Sequence, residues 1–226
     1  MQRVPDLELV YVGDPMCSWC WGFAPVIEKI DASFEIPLRV IVGGLRPGER
    51  AEPLALIRGH LEHHWNQVAA ASGQPFDPTG LDREDWVYDT MTADTAIVTM
   101  REMAPDETLR FFTRLQRAFY AERVDVTDHN AYPDLLAGFP VDVDEFRTNL
   151  GSTEMREAAE KDFQEARWLG VTGFPTLLLR DGPSTVPLSL GYAPFERVAQ
   201  RLNALLERNH PDVAGGLVCD IEGKAC

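Results

Sequence analysis

Short apolar runs and one helical repeat of apolar positions organise the beginning of the chain. Residues 7–12 (LELVYV) are an apolar run that a Gly-Asp-Pro break ends, which is typical of a buried strand. From residue 18 to residue 34 large apolar side chains recur at spacings close to 3.6, which predicts a helix with Pro25 as a kink inside it. Residues 38–42 (LRVIV) are the next strand candidate. The pattern therefore predicts a strand, a helix and a second strand.

A long stretch of helical pattern follows this unit. The predicted helices lie near residues 52–71, 83–103, 106–122, 128–138 and 142–150, and no strand is expected among them. A further amphipathic stretch runs to Leu169, with Thr153 as its predicted cap and Gly170 as its stop. The middle of the chain is therefore predicted to be helical.

Strand character returns after this last helix. Residues 176–180 (TLLLR) and 186–190 (VPLSL) flank an Asp-Gly-Pro turn, which predicts a hairpin, and residues 194–208 form a final helix pattern. The order of elements indicates an α/β domain that a block of helices interrupts.

Composition and charge narrow the class of protein. Hydrophobic residues make up 45% and charged residues 25% of the 226 residues, so the chain can bury a real core without disulfides. The net charge of -15 argues against nucleic acid or an anionic membrane as a partner. No apolar run reaches the roughly 20 residues that span a bilayer. Residues 1–14 lack the features of a secretory signal, so we expect a cytoplasmic protein.

The cysteines carry the candidate chemistry. Cys17 and Cys20 form a C-x-x-C motif at the start of the first predicted helix, directly after a strand. Unpaired backbone N–H groups of a first helical turn favour negative charge, and the thiolate is the nucleophile in disulfide exchange. Cys17 is therefore the expected attacking thiol, and Cys20 is expected to resolve the mixed disulfide.

Metal binding is the main structural alternative for these side chains. One C-x-x-C motif supplies half of a tetrahedral zinc site, but the only other cysteines lie far along the chain. His60 and His64 share a face of a predicted helix, with His63 beside them, and a solvated helix face is the favoured interpretation. No metal is expected.

Two motifs carry a resemblance to a known family. Residues 14–22 (DPMCSWCWG) resemble the active-site signature of the FrnE-like cytoplasmic thiol-disulfide oxidoreductases, a subgroup of the DsbA-like branch of the thioredoxin superfamily. Residues 170–176 (GVTGFPT) are similar to the superfamily loop that carries a cis-proline. The resemblance implies a thioredoxin-like fold with a large all-helical insertion.

The same resemblance implies a division into domains. Residues 1–48 and 152–210 are expected to form a discontinuous thioredoxin-like domain, and residues 49–151 an inserted helical domain. Residues 211–226 remain as a C-terminal tail with a second cysteine pair, Cys219 and Cys226. That pair resembles a second redox pair of the subgroup in position but not in spacing, and free thiols are the alternative.

The resemblance also implies a set of site residues. Cys17, Cys20 and Pro175 are the expected catalytic residues, with the cis-proline loop facing the cysteines. Trp19, Phe174 and Thr176 are the expected substrate-binding residues, because each is next to a cysteine or to Pro175 in the sequence. Trp19 is expected to be partly exposed, and Trp21 and Phe23 are expected either to join it in an apolar rim or to lie in the core.

Three functions follow from these features. The leading hypothesis is disulfide exchange on protein substrates, with protein thiols or small thiols as partners and no cofactor except glutathione as a co-substrate. The second is glutathione-dependent isomerisation or transfer on a small aromatic molecule. The third is a non-enzymatic holdase or partner-binding protein that uses the apolar rim.

Overall fold

A four-stranded mixed sheet forms the centre of the protein, in a computed structural model that describes residues 7–211. The strands are β1 (Leu7–Gly13), β2 (Leu38–Val42), β3 (Glu52–Pro53), β4 (Val87–Tyr88), β5 (Thr176–Asp181) and β6 (Ser184–Leu190). The central sheet has the order β2-β1-β5-β6, and β3 pairs with β4 separately. β1 is parallel to β2 and antiparallel to β5, which forms the predicted hairpin with β6.

Helices surround the sheet and fill the middle of the chain. They are α1 (Ser18–Ser33), α2 (Leu54–Ser72), α3 (Met91–Met103), α4 (Thr108–Ala121), α5 (Tyr132–Leu135), α6 (Val143–Leu150), α7 (Thr153–Trp168) and α8 (Phe195–Asn209). Short 3-10 turns occupy Gly48–Arg50, Pro78–Leu81, Pro105–Glu107 and His129–Ala131. None of the helices within residues 7–211 is long and apolar enough to cross a membrane.

Strand β1 is covered on both of its faces, which explains its nearly continuous apolar sequence. Leu9 and Tyr11 belong to the large core that α1 and the other helices close. Val10 and Val12 belong to a smaller cluster on the opposite face, which Ala166 of α7 closes. The central strand is therefore held from two sides, and its end is a fixed point for the residues that follow it.

Helix α1 packs between the sheet and the helical block. Its Trp21 ring stacks on Tyr120 of α4 with ring centroids 6.4 Å apart, and Tyr120 in turn meets Trp65 of α2 at 5.2 Å. Aromatic pairs of this kind add to the free energy of burying their surface. The predicted architecture, an α/β core interrupted by helices, is confirmed, and the domain bounds at 48/49 and 151/152 stay predictions.

The predicted helix over residues 83–103 is wrong in its first part. Residues 87–88 pair with residues 52–53 as an antiparallel ladder, and α3 begins only at Met91. Asp85 has a φ of 52°, which a helix excludes. The expectation of no strand in the helical block is therefore also wrong. The sequence did not show these strands, because two residues are too few for an alternating pattern of apolar positions.

The start of α7 and the helix predicted over 128–138 differ from the prediction, whereas the end of α7 agrees with it. Ser152, and not Thr153, is the N-cap of α7, since its hydroxyl accepts a hydrogen bond from the Met155 N–H at 3.2 Å. Gly170 follows the C-cap with a φ of 74°, as a stop glycine should. The helix expected over 128–138 is instead a 3-10 turn and the short helix α5.

An ion pair joins the helical block to the core. Arg101 of α3 donates two hydrogen bonds to the Asp162 carboxylate of α7, at 2.7 and 2.9 Å, and one to the Val40 carbonyl of β2 at 2.8 Å. The same carboxylate accepts the Val42 N–H at 3.0 Å. One paired charge therefore ties α3, α7 and β2 together.

Candidate active site

The two cysteines lie at the junction of β1 and α1. Cys17 is the N-cap of α1, and its carbonyl accepts the first helical hydrogen bond from the Trp21 N–H at 3.1 Å. Cys20 lies one turn further into the helix, and both side chains are free thiols. The Cys17 side chain keeps 6% of its surface exposed, whereas Cys20 has none. Solvent therefore reaches the pair only at Cys17.

The loop before β5 faces Cys17. The Phe174–Pro175 peptide bond is cis, as the family resemblance implied. The Cys17 thiol points at the Phe174 carbonyl with a sulfur to oxygen distance of 3.9 Å. Thr176 fixes the loop by donating its hydroxyl hydrogen bond to the Gly173 carbonyl at 2.9 Å. The fold thus joins predicted site residues that are far apart in the sequence.

Gly43 makes room for this loop. It follows β2, and a Cβ built on it would lie 2.1 Å from a carbon of the Phe174 ring. No real side chain tolerates such a contact, so the ring occupies the space that glycine leaves open. This close approach explains the glycine that the sequence shows directly after the second strand.

The Asp14 carboxylate fixes the backbone of the segment between β1 and α1, which leads to Cys17. Its carboxylate accepts the Met16 N–H at 2.8 Å and the Leu45 N–H at 2.6 Å, which connects the end of β1 to the segment after β2. The side chain is fully buried, and this burial raises its pKa, while the two backbone donors oppose the rise. The carboxyl therefore positions Cys17 through the backbone on either side.

Asp94 forms a second buried carboxyl beside Asp14. Thr90 donates a hydroxyl hydrogen bond to one Asp94 oxygen at 3.1 Å, and the other oxygen has no partner among the described residues. Burial first, and then the Asp14 charge, raise the pKa of Asp94 well above its usual range. Asp94 therefore tends to keep its proton in this buried position.

Cys20 and Tyr11 are both fully buried in the hydrophobic core behind the Cys17 thiol. Burial, and then the nearby Cys17 thiol, raise the pKa of Cys20 well above its usual range. The Tyr11 hydroxyl has no hydrogen-bond partner among the described residues, and burial is the main reason that the pKa of Tyr11 is also raised, with the nearby Cys20 adding to it. Burial therefore favours the neutral thiol of Cys20.

A cleft of about 450 Å³ opens in front of Cys17. Trp19 and Phe174 line it, and Trp19 is half-buried against the Tyr192 ring at 5.9 Å. Trp21 and Phe23 instead lie in the core, with 5% and 0% of their surface exposed. Of the two arrangements considered for these aromatic residues, Trp19 and Phe174 belong to a rim and the other two do not.

Basic side chains form much of the remaining wall of the cleft. Its lining includes five basic or imidazole residues: Arg46, Arg50, His60, His64 and Arg167. Within residues 7–211 no group of three or more His, Cys, Asp or Glu side chains is arranged to hold a metal ion. Cys219 and Cys226 lie outside the described residues.

Asp94 and Tyr11 are site residues that the sequence did not reveal. Asp94 interrupts an apolar stretch of α3, and a carboxylate on a buried helix face is the one signal that was available. Tyr11 occupies an inward position of a strand, where an aromatic residue is ordinarily part of the core. Packing between elements brings Tyr11 of β1 beside Cys20 and Asp94 of α3 beside Asp14.

Comparison with known proteins agrees with this geometry. A candidate protein disulfide isomerase from Nitrosomonas europaea has 32% sequence identity and a TM-score of 0.82, over 90% of this chain and 98% of that one. The cytosolic disulfide reductase DsbM from Pseudomonas aeruginosa has the same fold, with 24% identity and a TM-score of 0.76 over 88% of this chain and 98% of that one.

Curated relatives carry a different name. The ClpXP adapter protein SpxH of Halalkalibacterium halodurans is 26% identical over 76% of this chain, which spans 58% of that protein. SpxH of Bacillus subtilis is 24% identical over 96% of this chain and 73% of that protein. The model of the DSBA-like thioredoxin domain matches residues 8–203, so the chain belongs to the family of DsbA-like thioredoxin proteins.

Proposed function

We propose that this protein is a thiol-disulfide oxidoreductase that exchanges disulfides through its Cys-Ser-Trp-Cys motif. The observation that carries the proposal is the placement of Cys17. It caps a helix, opens onto a cleft, and lies 3.9 Å from the Phe174 carbonyl that precedes a cis-proline. Membership of the DsbA-like family supports the same class of activity.

The proposed reaction has two steps, which form and then resolve a mixed disulfide. The Cys17 thiolate attacks one sulfur of a substrate disulfide, forms a mixed disulfide and releases the other sulfur as a thiolate that takes up a proton. Cys20 then loses its proton and attacks the Cys17 sulfur, which releases the second substrate thiol and leaves a Cys17–Cys20 disulfide. The substrate gains two electrons, and the protein loses them.

The backbone near Pro175 would guide the substrate. The carbonyl of Phe174 and the open space above Gly173 lie next to the attacking sulfur, where an extended peptide can pair with the loop. Trp19 and Phe174 offer apolar contact on either side. This arrangement suits a flexible segment of a protein substrate as well as a small disulfide.

Reduction is the proposed direction in a cytosol. The Pseudomonas aeruginosa relative is a cytosolic disulfide reductase, and a second structure of it contains glutathione. A pool of small thiols at cytosolic potential would return the oxidised pair to the dithiol. We therefore propose glutathione as a co-substrate, with no other cofactor.

An adapter function is the second candidate. The curated relatives are ClpXP adapters, and this name describes partner binding and not disulfide exchange. An adapter acts by binding its partner and does not need a reactive dithiol for that. Loss of both cysteines therefore separates the two candidates.

Reduction of insulin tests the proposal. Cys17→Ser should reduce turnover to the uncatalysed rate, because no nucleophile remains. Cys20→Ser should accumulate a mixed disulfide at Cys17 that mass spectrometry detects. Ser18→Ala, between the two cysteines, is the matched control and should retain turnover. Unchanged turnover in Cys17→Ser would rule the proposal out and favour the adapter.

A further inference from the structure

The cleft in front of Cys17 has a charge opposite to that of the whole chain. The sequence has 36 acidic and 21 basic residues and a net charge of -15. Three arginines line the cleft, whereas no carboxylate from the described residues does: Arg46, Arg50 and Arg167. A positive cleft in an acidic protein concentrates anions at one place on its surface.

Two of these arginines remain available to a ligand. Arg46 is occupied, because it pairs with Glu52 at 2.5 Å. Arg50 donates one hydrogen bond to the Gly44 carbonyl at 2.6 Å, which fixes the guanidinium beside the site and leaves its other donors free. Arg167 is exposed in the last turn of α7 and forms no ion pair within residues 7–211.

His64, one of the two histidines that line the cleft, is disfavoured in its charged form. The His60 and His64 rings lie 4.3 Å apart on α2. Burial first, and then the positive charges of His60, His63 and Arg46, lower the pKa of His64. A protonated ring beside these groups is unfavourable, so the arginines supply the fixed positive charge of the cleft.

We infer that this cleft selects disulfides that carry carboxylates close to the reacting sulfur, with Arg50 and Arg167 as the residues that hold those carboxylates. The inference rests on the proposed function and adds a substrate class to it. A guanidinium binds a carboxylate with two parallel hydrogen bonds, and it repels an ammonium group at the same place. The cleft therefore discriminates both for anionic disulfides and against cationic ones.

The orientation of the cleft supports this assignment. Arg50 lies in the 3-10 turn Gly48–Arg50 and Arg167 in the last turn of α7, so two different elements bring a guanidinium group to the cleft that Cys17 also lines. A disulfide bound at the Cys17 sulfur has a substituent on each of its sulfur atoms. A carboxylate on either substituent therefore enters a cleft that has a guanidinium group to meet it.

The test measures oxidation of the reduced full-length protein by three small disulfides. They are dithiodiglycolate, which is anionic, hydroxyethyl disulfide, which is neutral, and cystamine, which is cationic. Stopped-flow tryptophan fluorescence follows a single turnover, since Trp19 and Trp21 flank Cys20, and no external reductant is required. Each rate is divided by the rate of the same disulfide with free dithiothreitol, which removes differences in intrinsic reactivity.

Substitutions of single arginines distinguish the effect of the cleft charge on these rates from the effect of the net charge of the protein. Arg167→Gln and Arg50→Gln should each slow the anionic disulfide by about threefold to tenfold more than the neutral one at low ionic strength. The effect should shrink in about 0.5 M salt, because screening weakens such attraction. Arg208→Gln removes the same charge from an exposed position on α8 outside the cleft and should change none of the rates.

The outcomes distinguish the inference from the proposed function. Faster normalised oxidation by the anionic disulfide, lost in Arg167→Gln but kept in Arg208→Gln, supports the inference. Equal normalised rates for all three disulfides overturn the inference and leave the oxidoreductase intact. No oxidation by the neutral disulfide overturns the proposed function itself.

Discussion

At the scale of single residues, the two thiols of the site have different surroundings and different tasks. Cys17 meets solvent and the cleft, whereas Cys20 is sealed behind it beside the Tyr11 hydroxyl. A neutral phenol can donate a hydrogen bond to a sulfur that is losing its proton, and the raised pKa of Tyr11 keeps that phenol neutral. In the proposed reaction, we therefore expect the resolving step to depend on Tyr11 and the attacking step not to.

Tyr11→Phe should slow the second step only. We expect the mixed disulfide at Cys17 to form at the normal rate and to resolve more slowly, which acid quenching and mass spectrometry can follow. Stability should change by less than about 1 kcal/mol, because the Tyr11 hydroxyl has no hydrogen-bond partner among the described residues to lose. Normal resolution in this variant would show that the hydroxyl is only part of the core.

Asp94 should make the protein less stable as the pH rises. Its pKa in the folded state is raised above the ordinary value of 3.8, so between these values the folded state binds more protons than the unfolded state. The free energy of unfolding therefore falls as the pH increases from 3.8 through the raised value. Asp94→Asn has no carboxyl group to ionise. Its free energy of unfolding, measured by urea titration, should therefore fall less than that of the parent when the pH is raised from mildly acidic to alkaline. Parallel pH profiles of the two proteins would contradict this account.

The sequence revealed some of these residues and concealed others. Cys17 and Cys20 stood out because their spacing at a strand-to-helix junction has a chemical meaning, and Pro175 because of its family motif. Asp94 and Tyr11 act through burial beneath the thiols, and burial depends on contacts between distant segments. No local pattern records such contacts, so the supporting residues emerged only from the structure.

At the scale of secondary-structure elements, the end of β2 and the loop before β5 fit each other through one glycine. Gly43 leaves space for the Phe174 ring, and the same loop presents the Phe174 carbonyl to Cys17. The packing of one element against another therefore sets the shape of the site.

Gly43→Ala should disturb both stability and activity. The added methyl would meet the Phe174 ring, so we expect a loss of about 1 to 3 kcal/mol in the free energy of unfolding and slower oxidation of the dithiol. Gly173→Ala is the matched control for stability, since a Cβ there meets nothing within 4 Å. Urea unfolding of both variants measures this difference, and stopped-flow oxidation of Gly43→Ala against the parent measures the effect on activity. Equal effects of the two substitutions would contradict the close fit.

Long elements were predictable from sequence, and short ones were not. The helices α2, α4 and α7 present apolar stripes over several turns, and the β5–β6 hairpin has a clear turn signal. β3 and β4 have two residues each and exist because they pair with each other across the helical block. A pairing over two residues produces no periodic pattern of apolar positions in either segment.

At the scale of the whole molecule, the ion pair between Arg101 and Asp162 connects the helical block to the sheet. It is partly buried, and the Asp162 carboxylate also holds the backbone of β2. Removing one partner leaves the other charge without compensation in a place that water barely reaches.

Arg101→Met should destabilise the protein by about 3 kcal/mol or more, because Asp162 would remain charged and unpaired. Arg156→Met is the matched control. It breaks an exposed pair with Glu160 on α7 and should cost at most about 0.5 kcal/mol. Chemical unfolding of the two variants gives the comparison. A loss no larger than that of the control would mean that the pair does not hold the two parts together.

The overall order of elements was predictable, but their arrangement in space was only implied by the resemblance. The sequence indicated strands, an interruption of helices and a hairpin, in that order. It did not show that β1 lies between β2 and β5, or that α1 packs against the helical block on its far side. These relations depend on contacts between the two ends of the chain.

The attacking thiol, the aspartate below it and the cis-proline loop all lie where strands of the sheet begin or end. Arg50 and Arg167, in contrast, lie in a turn and at a helix end around that centre. In the proposed reaction, the residues that exchange electrons and those that would choose the partner thus lie in separate stretches of sequence. A lineage that inherits this sheet can acquire new substrates by changing the surrounding helices and turns, while the chemistry it inherited continues unchanged.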